Sequence, residues 1–551
     1  MKAWRGRILR LAGGLPGLGL ALLLGGCGEG IPDVDTATGE GILLFGNGAE
    51  PKTLDPQRAT GVTENRIISA LVEGLIAYHP TDDNLPEPGV AESWESNEDA
   101  SVWTFRLREE ARWSNGDPVT AEDFVYSYER MLNPAYPGEY AQMLYVLENA
   151  EGYNSGRVTD FGEVGVKALG DRILRFQLVG PTPYFLNMLK HYSWFPVHPP
   201  TIETHGGPFD MSGAWTLPEN FVGNGPLNLT EWKPNQYVFL SRSPSYWDRE
   251  RVRLNGIYFF PVEDSNTEKR MFDSGRLHVT STVPTNDIPR LKEERPDIMN
   301  IDDYLGTYFY RLNVTREPLD NPLVRKALAF AIDREAIVER VALGDQTPAH
   351  AFVPMGFNNY PTPDRLGYDP ERARALLAEA GYPDGEGFPE LYLLFNTSEG
   401  HRKIAEAIVS MWNETLGIKM QLENKEWKVY LDAQSHLDYD VARAGWIGDY
   451  MDPITFLGMF TTGNGNNDTG WSNERYDFLI NAALRSESEA EHFALLLEAE
   501  EILLEELPVV PLYWYTRIYL KDPRLRGWSA KLLDNHPVKY LHLEASASAA
   551  R

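Results

Sequence analysis

Short strand-forming runs alternate with amphipathic helical stretches along nearly the whole chain, and no other feature constrains the fold as much. WTFRLR at 103–108, ILRFQLV at 173–179, YVFLSRS at 237–243, GIYFFPV at 256–262, LYLLFN at 391–396 and IKMQLEN at 418–424 are the clearest strand candidates. Between them lie helical segments with explicit start signals. Asn321 and Pro322 can act as N-cap and first helical residue for LVRKALAFAI; Asp369 and Pro370 can do the same for ERARALLAEA, which Gly381 closes. Thr120 opens AEDFVYSYERML, with Asp123 where a capping-box acid belongs. Strands interleaved with helices predict a mixed α/β architecture. At 551 residues the chain exceeds what one hydrophobic core usually serves, so two or three domains are expected. No internal repeat is present.

The N-terminus is a targeting segment rather than a fold element. Lys2, Arg5, Arg7 and Arg10 precede the apolar run LAGGLPGLGLALLLGG, which ends at Cys27, the only cysteine. A cysteine directly after Leu24, Gly25 and Gly26 resembles a bacterial lipobox, in which that residue is lipidated and becomes the first of the mature protein. Acyl chains contribute about 0.8 kcal/mol per buried CH₂, enough for several to hold a folded body at a membrane. The mature chain would then contain no disulfide and no cysteine nucleophile. The stretch GEGIPDVDTATGEG that follows has the composition of a flexible spacer, and EASASAAR at the C-terminus that of a frayed tail. No apolar stretch after Cys27 is long enough to span a bilayer.

Acidic residues number 80 against 51 basic ones, a formal charge of −29 that repels nucleic acid and anionic lipid. No nucleic-acid partner is expected. Signals of catalysis are also missing: there is no G-x-S-x-G elbow, no H-E-x-x-H pair and no phosphate loop ending in Gly-Lys. Asp82 with Asp83, and Asp302 with Asp303, are adjacent and so point different ways, which suits solvated turns better than a catalytic pair. Histidines are scattered without metal-ligand spacing.

One segment, DVARAGWIGDY at 440–450, combines features that suit a ligand. As an extended strand, its Gly445 and Gly448 leave room for a second backbone to approach. A guest peptide could add there as a strand, held by main-chain hydrogen bonds that tolerate varied side chains. Asp449 suits an α-ammonium group, Arg443 suits a carboxylate through its planar guanidinium, and Trp446 would form an apolar wall. Taken singly, each residue also fits a duller role: a loop acid, a surface charge, a core aromatic.

DVARAGWIGDY, NTSEGHRK, EPKTLDPQRATGVTEN and VRKALAFAIDREAIV together resemble the oligopeptide-binding proteins of bacterial ABC peptide importers, within the extracellular solute-binding proteins of family 5. The stretch from PGVAESWESNEDASVWTFRLREEARWSNG to YERMLNP extends the likeness, which runs from about Leu43 to about Arg526. The resemblance implies a periplasmic binding protein-like fold, a two-lobed clamp with a hinge (type II, cluster C) and an additional smaller domain. Its implied division is residues 1–27 as lipoprotein signal peptide and 28–41 as flexible tether. Residues 42–72, 198–300 and 516–543 would form a discontinuous first lobe, 73–197 the additional domain, 301–515 the second lobe and 544–551 a disordered tail.

By motif match, Asp449 would hold the peptide ammonium, and Gly445 and Ile447 would pair with the peptide main chain. Gly61 and Val62 would contact its other side, Arg443 and His401 would meet its carboxylate, and Trp427 and Trp446 would line side-chain pockets. Relatives carry a cysteine at each of the places held here by Ile447 and Gly306, so the corresponding disulfide cannot form. The implied protein is a non-catalytic monomer without cofactor or metal. It would be lipid-anchored in the periplasm or on the outer face of the cytoplasmic membrane, and would deliver short peptides to a permease. The family reuses the clamp for dipeptides, a murein peptide or a nickel complex, and those ligands, or a periplasmic hydrolase, are the alternatives.

If Cys27 is the anchor, Cys27→Ser is expected to move the protein from the detergent phase to the aqueous phase in a partitioning assay, with ligand affinity unchanged. A variant that stayed in the membrane fraction would indicate an uncleaved helix instead.

Overall fold

A computed structural model describes residues 30–545 apart from 137 and 358. The leader, Cys27 and residues 546–551 lie outside the described residues. Three larger sheets organise the chain. The first has strands in the order Ile42–Gly46, Gly256–Phe260, Tyr237–Arg242, Leu227–Lys233, parallel at the first pair and antiparallel after it. A second, wholly antiparallel sheet runs Ala91–Ser96, Val102–Leu107, Ile173–Gln177, Val166–Ala168. The third has six strands ordered Thr347–Pro348, Val509–Leu520, Met299–Leu312, Val441–Ile447, Leu391–Asn396, Met420–Lys425. All six runs read as strand candidates contribute a strand to one of these sheets, with alternating burial clearest in Val102–Leu107 and Ile173–Gln177.

The helix starts form for the reasons their residues suggest. Asn321 Oδ1 accepts the N–H of Leu323 at 3.0 Å, and Asp369 Oδ1 accepts that of Arg372 at 2.9 Å, each with proline as the first helical residue. Asp123 closes the capping box by accepting the Thr120 N–H at 2.9 Å, and the same carboxylate accepts the Trp113 indole N–H at 3.0 Å.

Two long strands carry the chain between the first and third sheets. Met299–Asp303 pairs with Thr516–Leu520, and after an irregularity Thr307–Arg311 pairs with Val509–Trp514. At the near end Leu520 accepts the Thr280 N–H at 3.0 Å, and the neighbouring Val279 bridges both Phe45 and Lys521. This pair of strands therefore reaches from the edge of the first sheet into the third, the kind of crossing connection about which two lobes can turn. On the third sheet Gly306 faces Ile447 across the ladder. A Cβ at Gly306 would collide with the Ile447 side chain, so the isoleucine fills what the glycine leaves.

Three expectations need correction. The segment 28–41, expected as a tether, contains a helix at Val34–Glu40. Asp33 caps it by accepting the Thr36 N–H at 2.9 Å, Gly41 ends it with φ +69°, and Val34 and Ala37 pack with Leu44, Tyr237, Phe260 and Leu277. Composition hid one buried face with helical spacing. The tail begins later than Glu544, because Glu544 donates its N–H to the Arg524 carbonyl and pairs with Arg526 at 2.9 Å. Neither pair of adjacent acids is a solvated turn: Asp83 is buried, 3.3 Å from Lys531, and accepts the Leu533 N–H, while Asp302 and Asp303 lie within the strand Met299–Leu312, where Asp302 accepts the Tyr519 hydroxyl at 2.7 Å.

A buried ion pair fixes the approach to the helix Val62–Leu71. Asp55 Oδ2 lies 2.7 Å from Arg130 Nη2 with both side chains at most 2% exposed, and Tyr136 donates its hydroxyl to the same oxygen at 2.9 Å. Burial opposes the Asp55 charge, but the Arg130 guanidinium outweighs it and holds the carboxyl below its usual range. Such a group stabilises the fold fully above its unfolded pKa, and that contribution is lost as pH falls through the depressed folded value. Asp55→Asn strands the Arg130 charge and is expected to cost about 3–5 kcal/mol. A thermal melt at neutral pH should show the loss, and the gap between variant and wild type should shrink in strong acid.

Candidate functional site

Strand Val441–Ile447 is the floor of the site. Val441, Ala442, Ala444 and Trp446 are buried, whereas Arg443, Gly445, Ile447 and then Asp449 reach a cavity of about 350 Å³. Period-2 alternation puts those four residues on one face. The strand lies inside the sheet, yet one of its edges is partly open. Its parallel neighbour Leu391–Asn396 pairs only at Val441 and Ala442 before diverging, while pairing with Met299–Leu312 continues to Ile447.

The open edge can be assigned residue by residue. Tyr430 donates its hydroxyl to the Arg443 carbonyl, so Arg443 turns its main chain away from the antiparallel partner. In an antiparallel ladder N–H and C=O of one residue point the same way and alternate along the strand, so Gly445 and Ile447 also turn theirs outward. Gly445 has a further reason to lack a side chain. A Cβ there would collide with the Tyr515 hydroxyl and sit 3.2 Å from Arg443 Nη2.

Asp449 lies just past one end of this edge. Its N–H donates to Thr455 Oγ1 at 2.9 Å, and its Oδ1 is 3.3 Å from His191 Nε2. The Ser193 N–H donates to His191 Nδ1 at 3.3 Å, so that nitrogen is an acceptor and the ring proton resides on Nε2, aimed at the carboxylate. Burial pushes the His191 pKa down to about 3, leaving a neutral donor. Burial also drives the Asp449 carboxyl well above its ordinary range, with only the Thr455 hydroxyl working against it. Among the described residues no lysine or arginine pairs with Asp449; its one ion-pair partner is this uncharged histidine. An acid in that state attracts a cation from outside.

Arg443 is the converse at the other end. Its Nη2 donates to the Tyr515 hydroxyl at 2.7 Å, and Nη1 lies 3.4 Å from Asn396 Oδ1. The guanidinium sits 4.8 Å above the Tyr308 ring, and Nε is buried without a partner. Its surroundings are tyrosines, and no carboxylate among the described residues forms an ion pair with it. His401 stands beside it in the first turn of the helix Glu399–Leu416, its Nδ1 3.3 Å from the Tyr308 hydroxyl. Burial, reinforced by the Arg443 charge, holds His401 neutral, so it can donate a hydrogen bond to an anion but adds no charge.

Gly61 and Val62 form the opposite wall, where Gly61 caps the helix Val62–Leu71. Trp427 reaches toward them from the first position of helix Trp427–Ser435. It stacks on Tyr430 at 5.6 Å, and a Cβ on Gly61 would come 3.2 Å from its ring. Trp446 is both wall and core: it borders the cavity, is 8% exposed and donates its indole N–H to the Thr455 carbonyl at 2.8 Å. At the rim, Glu399 Oε2 accepts from Asn266 Nδ2 at 2.9 Å and from Ser265 Oγ at 3.3 Å. Lys403 pairs with Glu399 at 2.8 Å and donates to Thr285 Oγ1 at 3.0 Å. Glu399 itself does not border the cavity. These contacts tie the third sheet's helix to segments adjoining the first sheet.

All nine side chains or glycines picked out in the sequence, Asp449, Arg443, His401, Gly445, Trp446, Ile447, Trp427, Gly61 and Val62, border this one cavity. Sequence reasoning missed His191, Tyr140 and Tyr515. Tyr140 packs between His191 at 4.7 Å and Trp446 at 6.2 Å. No local pattern marks any of the three, because each meets the strand only through the tertiary fold.

Residues 86–468 match the family model described as bacterial extracellular solute-binding proteins, family 5 Middle. The dipeptide-binding protein DppE of Bacillus subtilis is 37% identical, over 98% of this chain and 99% of its own. The structure of Haemophilus influenzae OppA in complex with RPPGFSPFR superposes with a TM-score of 0.86 at 34% identity, covering 92% of this chain and 99% of that one. The Escherichia coli murein tripeptide binding protein MppA gives 0.84 at 33% identity, covering 91% of this chain and 98% of that one. Its unliganded open form gives 0.61 at 33% identity, covering 92% and 97%. The arrangement described above departs from the open one.

The rim contacts hold that arrangement without touching the cavity. Glu399→Ala with Lys403→Ala is expected to raise the open-to-closed ratio about three- to tenfold, for roughly 1 kcal/mol of partly screened interaction. Small-angle scattering of the unliganded protein should show a larger radius of gyration; an unchanged radius would mean that the rim contacts carry no closing energy.

Proposed function

Because the chain belongs to the bacterial extracellular solute-binding proteins of family 5, we propose that it captures short peptides in the cleft and presents them, lobes closed, to an ATP-driven permease. The peptide lies antiparallel to Val441–Ile447. Its ammonium meets Asp449, its main chain pairs with Gly445 and Ile447, and its carboxylate points toward Arg443 and His401. One observation carries this reading. A half-buried acid without a cation and a half-buried guanidinium without an anion, among the described residues, stand at opposite ends of one open strand edge. A zwitterionic extended chain satisfies both charges and the edge together. Each added residue moves the carboxylate by about 3.3 Å, so Arg443 and His401 serve peptides of different length.

Gly61, Val62 and Trp427 close over the peptide from the other side, and Trp427 and Trp446 border its side chains. The lobe and domain boundaries expected from the resemblance belong to the same proposal, with Met299–Leu312 and Val509–Leu520 as the hinge. The cleft binds and closes; it carries out no chemistry on its ligand. Lipidation at Cys27 would hold the protein at a membrane outside the cytoplasm, and among the described residues no helix is long and apolar enough to cross one.

Asp449→Asn tests the anchor. Losing one partner of a buried charge pair costs about 3–5 kcal/mol, so a tripeptide with a free N-terminus should bind at least about two orders of magnitude more weakly. Its N-acetylated form should bind poorly to both proteins. Isothermal titration of the four combinations isolates the pair. Ammonium binding requires the carboxylate, so wild-type affinity should also fall as pH drops through the raised Asp449 pKa, with proton release on binding just below it. Equal losses on acetylation in wild type and variant would remove the anchor from the proposal.

A further inference from the structure

A second group of charges borders the same cavity and is not needed to hold a peptide's termini. Arg66, from the helix Val62–Leu71, and Arg517, from the strand Val509–Leu520, both reach it. They share one carboxylate. Asp534 Oδ2 is 2.7 Å from Arg517 Nε and 3.3 Å from Arg66 Nη2, and Asp534 Oδ1 is already engaged by His536 Nε2 at 2.9 Å. Arg517 donates Nη1 to the Ser281 carbonyl, while its Nη2 is buried without a partner and the residue is 6% exposed.

The neighbouring groups do not make up the deficit. Lys531 adds a cation that Asp83 balances at 3.3 Å. Glu268, the other acid near Arg517, accepts the N–H groups of Ser281 and Thr282, and burial raises its carboxyl to about 7. One buried and one half-buried guanidinium therefore rely on a single full carboxylate, and Nη2 of the buried one has no acceptor. A buried donor left in that condition is costly, and a guanidinium is shaped to receive a carboxylate on two parallel hydrogen bonds.

On the reading of the cleft as a peptide site, we infer that Arg66 and Arg517 form a subsite for an acidic side chain of the bound peptide. Its place along the peptide follows from the chain. Leu305 accepts the Gly448 N–H and donates its own N–H to the Leu532 carbonyl, each at 2.8 Å, so the loop bearing Asp534 adjoins the Asp449 end of the strand. The acidic side chain belongs to one of the first two peptide residues. The ligand then carries three charges read by three separate clusters: ammonium, acidic side chain and terminal carboxylate.

Titration calorimetry on the full chain tests this with Ala-Ala-Ala-Ala, with Glu or Gln at position one or two, and with Glu or Gln at position four as control. Arg66→Gln is the chosen variant, because its bond to Asp534 is the longer one and Arg517 and His536 keep that carboxylate engaged. Wild type is expected to bind the Glu peptide about tenfold more tightly than its Gln isostere at position one or two only, as a charge-assisted pair implies. Arg66→Gln should reduce that ratio to about twofold or less and change Ala-Ala-Ala-Ala binding by less than about threefold. Equal binding of Glu and Gln peptides by wild type, or a preference that survives in the variant, overturns the subsite while leaving the peptide reading intact. Failure of wild type to bind any of the peptides overturns both.

Discussion

Asp449 is a carboxylate largely taken out of water with no charged partner among the described residues, and much of the surrounding structure follows from that. Its side chain is 11% exposed and its hydrogen-bond partners are neutral. An ion held that way is unfavourable by several kcal/mol, so the empty cleft either protonates it or stays open to water. Arg443 poses the same problem with the opposite sign, and a guanidinium does not escape it by losing its proton. A ligand that supplies both missing charges relieves both at once. Closure is then favoured by what the cleft lacks as much as by what it offers.

The backbone supplies the other half of recognition. Leu391–Asn396 leaves the strand after Ala442, and Tyr430 covers the next outward carbonyl at Arg443, so the unoccupied edge is limited to Gly445 and Ile447. A guest strand finds a short ladder with a charge at either end. Side chains on such a guest would have little part in that ladder, so main-chain pairing of this kind tolerates varied sequences. Under the proposed peptide reading, selectivity would come from wall residues such as Trp427, Trp446, Arg66 and Arg517, which border the cavity beyond that edge.

Much of this was legible in the residues. Strand candidates stood out as short runs rich in β-branched and aromatic residues, and helix starts because Asn321, Asp369 and Thr120 carry the cap chemistry that a helix N-terminus needs. The chemical character of DVARAGWIGDY was also readable: thin backbone, opposite charges, one large ring. What could not be read was partnership. Nothing local says that His191 will donate to Asp449, that Tyr515 will lie over Gly445, or that Arg66 and Arg517 will divide one aspartate. Those pairs join distant parts of the chain and exist only once three sheets have been brought together. The helix at Val34–Glu40 was missed for a different reason: its small and polar residues look like linker until Val34 and Ala37 are seen to share a face.

The Gly306 and Ile447 pair bears on where such a protein can work. Directly opposed positions on adjacent strands are a natural place for a covalent cross-link, and here the contact is van der Waals, an isoleucine seated over a glycine. With Cys27 as the only thiol in the chain, no covalent bridge within the chain can form. Folding of the clamp therefore needs no oxidant and no disulfide isomerase, and the same hinge and cleft can assemble whether the compartment is reducing or oxidising.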